Sequence, residues 1–193
     1  MSNTNTNQRV GIFIDVQNIY HSAKNLYHAR VNFNELLKYV VGRRQLVRAY
    51  AYVVKSDPAT GEESFFEALR KTGLELRSKD LQVYPDGTKK GDWDVGIAVD
   101  AIRSAGVLDA VILVTGDGDF VPLVQYLKLG FGKDVEVAAF GRTTSARLKD
   151  AADSFADIEH IPRALLKINE RVDDREDRNR DSRRPRRPMR RNY

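Results

Sequence analysis

The chain has 193 residues, no cysteine, three histidines and a formal net charge of +5. That length suits one packed domain with tails. The lack of cysteine excludes a disulfide framework or thiolate zinc site, and His21, His28 and His160 fall in no zinc-binding spacing. Any metal therefore has to rest on oxygen ligands, which favours Mg²⁺ or Mn²⁺, with Ca²⁺ as a further hard cation. The net charge does not mark a basic body, because residues 171–193 hold ten arginines against five acids while the rest balances 22 bases with 22 acids. No run approaches the roughly 18 apolar residues of a membrane span, and the polar opening Met1 to Gln8 lacks a signal peptide's apolar stretch, which points to the cytosol.

Along the chain, Val10 to Ile14 is continuously apolar and β-branched, as a strand covered on both faces of a parallel sheet should be. A helical period follows over Asn18 to Ala29, with Ile19, Tyr20, Ala23, Leu26 and Tyr27 on one stripe. A second helix is expected over Phe33 to Val41 and a strand over Leu46 to Val54. Next come a helix over Glu62 to Thr72 and a strand over Leu74 to Val83, the latter interrupted by charges. Trp93 to Ala105 reads as a helix, Ala110 to Val114 as a second fully apolar strand, and Phe120 to Leu129 as a helix. Val135 to Phe140 and Ser145 to Ala152 complete the pattern as strand and helix. This alternation predicts an α/β fold with a Rossmann-like, doubly wound, mainly parallel sheet flanked by helices. In such sheets ligands bind beyond the carboxyl ends of the strands, where the order reverses. Residues 1–8 are expected to be a flexible N-terminus and 9–170 one domain. Residues 171–193, with almost nothing apolar to offset ordering entropy, are expected to form a disordered Arg-rich tail.

Three strand-to-helix junctions carry carboxylates. The first strand runs into Asp15-Val-Gln-Asn18, where Asn18 suits a helix cap and Asp15, an ionised group beside a buried strand, is costly unless paired or bound to metal. The second junction is Lys89-Lys90-Gly-Asp92-Trp-Asp94. One of its two acids can cap the following helix and the other is spare, while Asp100, within an apolar run, suits a structural hydrogen-bond acceptor better than a metal ligand. The third is Thr115-Gly-Asp117-Gly-Asp119, whose glycines are expected to allow a tight turn at the end of the most apolar strand. It is not a dinucleotide fingerprint, because the closing Gly-x-x-Gly is absent and two acids would repel a pyrophosphate. All three junctions should meet at one sheet edge. Two carboxylates about 5 Å apart repel by roughly 3 kcal/mol at an effective dielectric of about 20, so such a cluster implies a bound cation.

Phe13-Ile-Asp-Val-Gln-Asn18, Lys90-Gly-Asp-Trp-Asp-Val-Gly-Ile-Ala-Val-Asp100, Val114-Thr-Gly-Asp-Gly-Asp-Phe-Val-Pro-Leu123 and Leu148-Lys-Asp-Ala-Ala-Asp-Ser-Phe155 together resemble the NYN domains, in the LabA-like branch of the PIN-like nuclease superfamily. The resemblance implies a PIN-like fold and an acidic centre binding Mg²⁺ or Mn²⁺ that hydrolyses RNA phosphodiester bonds. It marks Asp15, Asp94, Asp117 and Asp119 as metal-site acids and Asn18 as the polar residue that helps orient the site. Many relatives have Lys-Gly-Val-Asp where this chain has Lys90-Gly-Asp-Trp-Asp94. That leaves a register question between Asp92 and Asp94, and Asp94 is favoured because Val95 resumes the helical pattern.

On this reading Asp15, Asp94 and Asp117 coordinate one or two cations while Asp119 completes the shell or orients the attacking water. Lys89, Lys90, Arg142, Thr144 and Ser145 lie where phosphates would pass, although capping is the simpler role for Thr144 and Ser145. Arg183, Arg184, Arg186 and Arg187 in the tail could grip a nucleic-acid backbone. The main alternative is a catalytically silent regulator that keeps the fold and binds RNA or a protein partner. A haloacid-dehalogenase-type phosphatase is disfavoured by Gln17, where a second acid is needed, and a nucleotide-binding module by the lack of a glycine-rich loop with Lys and Ser or Thr. RNA is the expected substrate with DNA as the alternative, and endonucleolytic or exonucleolytic cleavage, by a monomer or a homo-oligomer, all fit the sequence.

Overall fold

A computed structural model describes residues 6–55, 62–83, 85–86 and 89–167 of the chain. The expected Arg-rich tail, with Arg183, Arg184, Arg186 and Arg187, lies outside the described residues, as do residues 1–5 of the expected flexible N-terminus. In chain order the elements are β1 (Arg9–Asp15), α1 (Val16–Tyr27), β2 (Ala29–Val31), α2 (Phe33–Val41), β3 (Gln45–Lys55), α3 (Glu62–Lys71), β4 (Glu75–Asp80), β5 (Gln82–Val83), β6 (Lys89–Lys90), α4 (Asp94–Ser104), β7 (Ala110–Val114), α5 (Val121–Phe131), β8 (Asp134–Ala139), α6 (Ala146–Ala151), β9 (Ser154–Asp157) and β10 (Leu165–Lys167).

Six strands form one sheet in the order β4-β3-β1-β7-β8-β9, and every neighbouring pair is parallel. Numbered among themselves, these strands run 3-2-1-4-5-6, the doubly wound order with its reversal between β1 and β7. The continuous apolar runs of β1 and β7 follow from that position, since both faces of each strand are covered. Val10, Ile12 and Ile14 point into one core beside α1, α2 and α3. Phe13, Val111 and Leu113 point into the other, beside α4, α5 and α6. In a sheet of this order the ligand crevice is expected beyond the carboxyl ends of β1 and β7.

The expected strand over Leu74 to Val83 is two elements. β4 pairs with β3 at the sheet edge, and Gln82–Val83 turns away to pair with Lys89–Lys90 in an antiparallel ribbon. β9 extends the other sheet edge, and β2 with β10 forms a separate two-stranded ribbon. The stripe expected on α1 is narrower than the sequence suggests: Val16, Ile19 and Ala23 are buried, whereas Tyr20 and Leu26 are exposed. Among the described residues no helix is long and apolar enough to cross a membrane.

Candidate metal centre

Asp15 ends β1 and occupies the N-cap of α1, where its Oδ1 accepts the backbone N–H of Asn18 at 3.1 Å. Asn18 is thus not the cap expected from the sequence. Its side-chain oxygen instead accepts the Gly116 N–H at 2.9 Å, which joins the start of α1 to the loop after β7. Both junctions flanking the reversal point are held together by that bond.

Asp117 caps a turn of 3-10 helix, and its Oδ1 accepts the Asp119 N–H at 3.0 Å. The buried Thr115 hydroxyl accepts the Asp117 N–H at 3.2 Å, fixing the start of the turn. Neither Gly116 nor Gly118 has left-handed φ, so these glycines are not demanded by turn conformation as the sequence suggested. They leave room for a neighbouring loop. A Cβ on Gly118 would stand 2.8 Å from Ser145 Oγ, and one on Gly116 would stand 3.1 Å from Thr144 Oγ1 and 3.2 Å from the Thr144 backbone. The Ser145 N–H completes the contact by donating to the Gly116 carbonyl at 3.0 Å. Gly118→Val is therefore expected to push the loop and the two aspartates apart, weakening cation binding in a titration; unchanged affinity would contradict the packing argument.

Neither Asp92 nor Asp94 caps α4, contrary to expectation. Trp93 stands at the N-cap without a side-chain bond, and Asp94 is the first helical residue, where a carboxylate is favoured by the helix dipole. The Trp93 indole N–H donates to the Val53 carbonyl at 2.9 Å. Its ring covers Gly96, where a Cβ would fall 2.5 Å from the indole. Trp93 thereby pins the start of α4 to the end of β3 and holds Asp94 at the crevice.

Asp94, Asp117 and Asp119 each offer an oxygen, and the three atoms lie within 4.8 Å of one another. No ion pair among the described residues involves these three or Asp15. Asp15 is outside the triad, but its charge is felt together with those of Asp94 and Asp117. Burial chiefly, and those two carboxylates in addition, push its carboxyl up to about 6 against the opposing Asn18 hydrogen bond. Asp94 is also raised, by burial and then by Asp117, Asp92 and Asp119, with Lys79 opposing. Asp15, Asp94 and Asp117 are half-buried and Asp119 is exposed; carboxylates this crowded, with no ion pair among the described residues, fit a hard divalent cation, which would relieve their mutual repulsion.

The other sequence candidates separate from this cluster. Asp100 accepts the Tyr52 hydroxyl at 3.0 Å and faces Arg77 and Arg103 at 3.7 and 3.6 Å. Asp92 is exposed and acts on Asp94 electrostatically. Thr144 is buried and donates to the Phe140 carbonyl at 2.7 Å, and Ser145 stands at the N-cap of the short α6 without a side-chain capping bond. The expected capping role fails for both hydroxyls. Arg142 is exposed in the loop after β8. Lys89 and Lys90 pair with Val83 and Gln82 in the antiparallel ribbon. Thr115 and Trp93, which organise two of the junctions, were not among the sequence candidates. The signal for Thr115 was present in its polar side chain at the end of an apolar strand.

A strand-order reversal flanked by crowded carboxylates defines a doubly wound α/β domain with an acidic centre that could hold metal. Residues 9–159 match the NYN domain family model, and the chain belongs to that family. It is 27% identical over 172 residues to the low amplitude and bright protein LabA of Synechococcus elongatus, covering 84% of this chain and 90% of that protein. The crystal structure of a protein of unknown function from Vibrio parahaemolyticus matches with a TM-score of 0.75 and 36% identity, over 84% of this chain and 99% of that one.

The raised Asp15 carboxyl has a consequence for stability. An unfolded Asp titrates near 3.9, so keeping Asp15 ionised at neutral pH opposes folding by about 3 kcal/mol, at ~1.4 kcal/mol per pH unit. In metal-free protein this penalty should grow as pH rises from about 4 to about 6 and stay constant above. Asp15→Asn, which keeps an oxygen for the cap, should raise the melting temperature in chelator at pH 7 and lose that advantage near pH 4. Calorimetric melting of both proteins checks this, and a lower melting temperature for the variant at pH 7 would contradict it.

Proposed function

We propose that the chain is a metal-dependent endoribonuclease, hydrolysing RNA phosphodiester bonds with Mg²⁺ or Mn²⁺ held by Asp94, Asp117 and Asp119. The observation that carries this reading is three carboxylate oxygens within 4.8 Å of one another, set at the reversal point of a doubly wound sheet, with no ion-pairing cation among the described residues. Membership of the NYN family supports it.

An ion held by Asp94, Asp117 and Asp119 would supply a more acidic bound water and neutralise charge on the phosphate oxygens. Hydrolysis forms a bond from water oxygen to phosphorus and breaks the bond to one ribose oxygen. Asp15 borders the triad and is the residue to accept the proton released by the attacking water. Its own raised proton affinity comes from burial and like charge; a cation held nearby would favour the ionised form that accepts a proton. The leaving oxygen takes its proton from solvent. Asn18 keeps Asp15 and the Asp117 turn in register through Gly116.

The test is incubation of the protein with a pool of structured and unstructured RNAs, first with Mn²⁺ and then with chelator, reading product ends. Internal cleavage that requires the cation is expected. Failure to cleave any RNA would leave an NYN fold that acts by binding RNA or a protein partner.

A further inference from the structure

The charges that interrupt the expected Leu74 to Val83 strand have a spatial pattern. With a strand period of two, Glu75, Arg77 and Lys79 of β4 share one face. The register sets Tyr50 opposite Glu75, Tyr52 opposite Arg77 and Val54 opposite Lys79. This is the face on which Tyr50 and Tyr52 pack with Ile97 and Ala101 of α4. β4 is the last strand of the sheet, and on this face Arg77 is exposed and Lys79 half-buried beside α4.

Aromatic rings and one acid hold these cations in place. The Arg77 guanidinium lies 4.8 Å from the Tyr50 ring centre and Lys79 Nζ lies 4.9 Å from that of Trp93. Arg103, one helical turn beyond Asp100, joins Arg77 on the Asp100 carboxylate at 3.6 and 3.7 Å. Those separations are loose for charge-assisted hydrogen bonds. One carboxylate thus orients two guanidiniums without consuming their donors. The side chains of Arg77 and Arg103 are 46% and 75% exposed, so these donors reach solvent. At the other end of this row, Lys79 is within electrostatic reach of Asp94, which ties the cations to the acidic centre.

We propose that Arg103, Arg77 and Lys79 form a phosphate-binding track along the β4 edge that guides single-stranded RNA to the Asp94, Asp117 and Asp119 centre. The inference rests on the ribonuclease reading for the identity of its ligand. Arg77 and Lys79 are about 7 Å apart along the strand, a separation that suits successive phosphates of an extended chain. Asp100 acts as a positioning residue for the track, and Arg48, paired with both oxygens of Glu75 at 3.0 Å, closes its far end.

The test measures binding of a labelled 15-nucleotide oligouridylate by fluorescence anisotropy in chelator across a salt series. Reading binding without metal separates this inference from cleavage, so a protein that binds through the track but never cuts would refute only the nuclease reading. The combined variant Arg77→Gln, Lys79→Gln, Arg103→Gln should bind at least about tenfold more weakly, with a log–log salt slope shallower by about 2. Removing the same charge elsewhere, as Arg9→Gln, Arg70→Gln, Lys133→Gln, should have a much smaller effect. The exchange Arg77→Lys, Lys79→Arg, Arg103→Lys should keep most of the slope. Should the combined variant not fold, Arg103→Glu, an exposed helix position, carries the same expectation in reduced measure. Absence of RNA binding by the parent, or an unchanged slope in the track variant, would overturn the proposal.

Discussion

Asp117→Asn is expected to lose Mn²⁺-dependent RNA cleavage by at least about a thousandfold, which corresponds to roughly 4 kcal/mol of lost transition-state stabilisation. The reason is charge rather than shape. Asn retains an oxygen to accept the Asp119 N–H that Asp117 now accepts at 3.0 Å, and Asn is as good a capping residue as Asp. The turn should therefore survive, as an unchanged circular dichroism spectrum and melting profile would show. What disappears is one of three negative charges gathered within 4.8 Å. Multiple-turnover cleavage of a labelled RNA, with the variant at excess Mn²⁺, separates weakened metal binding from lost chemistry. Activity within tenfold of the parent would remove Asp117 from the centre.

The second large effect concerns stability at the opposite end of the sheet. Arg44 is buried in the loop after α2. Its guanidinium engages both Glu136 oxygens, at 2.5 and 3.0 Å, and also Gln8 Oε1 at 3.1 Å. It further donates to the carbonyls of Val40 and Val41, which end α2. The Arg44 side chain is 4% exposed and that of Glu136 19%, and both line a cavity with Val40, Asp134 and Asp153, so water reaches the carboxylate only in part once the arginine is removed. Arg44→Met should destabilise the protein by about 3 kcal/mol, because the half-buried Glu136 is left unpaired and the Val40 and Val41 carbonyls lose their donor. Adding Glu136→Leu should recover much of that loss, since an apolar pair of similar volume removes the stranded charge. Urea unfolding of the single and double variants measures both quantities. Equal stability of Arg44→Met and the parent would contradict this account.

The two central strands and the three acidic junctions were legible in the sequence because each is written locally. A run such as Ala110 to Val114 has one physical reading, burial on both faces, and all five of its residues are buried. Elements whose existence depends on distant partners were harder to see. β9 is four half-buried residues with no periodic signal, and β2 and β10, of three residues each, exist by pairing with each other. The cap of α1 is ambiguous in the sequence for a related reason. Asp15 and Asn18 are both good caps three residues apart, and only the approach of Gly116 determines that Asn18 bonds outward. The glycines of the Asp117 turn suggested special backbone angles, whereas the loop carrying Thr144 and Ser145 explains them by proximity. That loop also buries Thr144, which sequence reasoning left available to phosphates. The charges in β4 looked like interruptions of a strand until the pairing with β3 placed them on one face.

Calorimetric titration of Mn²⁺ into the metal-free protein at neutral pH tests the central claim most directly, with Asp94→Asn and Asp117→Asn titrated alongside. Saturable uptake by the parent, lost or weakened at least about tenfold in each variant, is the predicted result. No uptake by the parent, or equal uptake by all three proteins, would show that these carboxylates tolerate one another without a cation and would contradict the account.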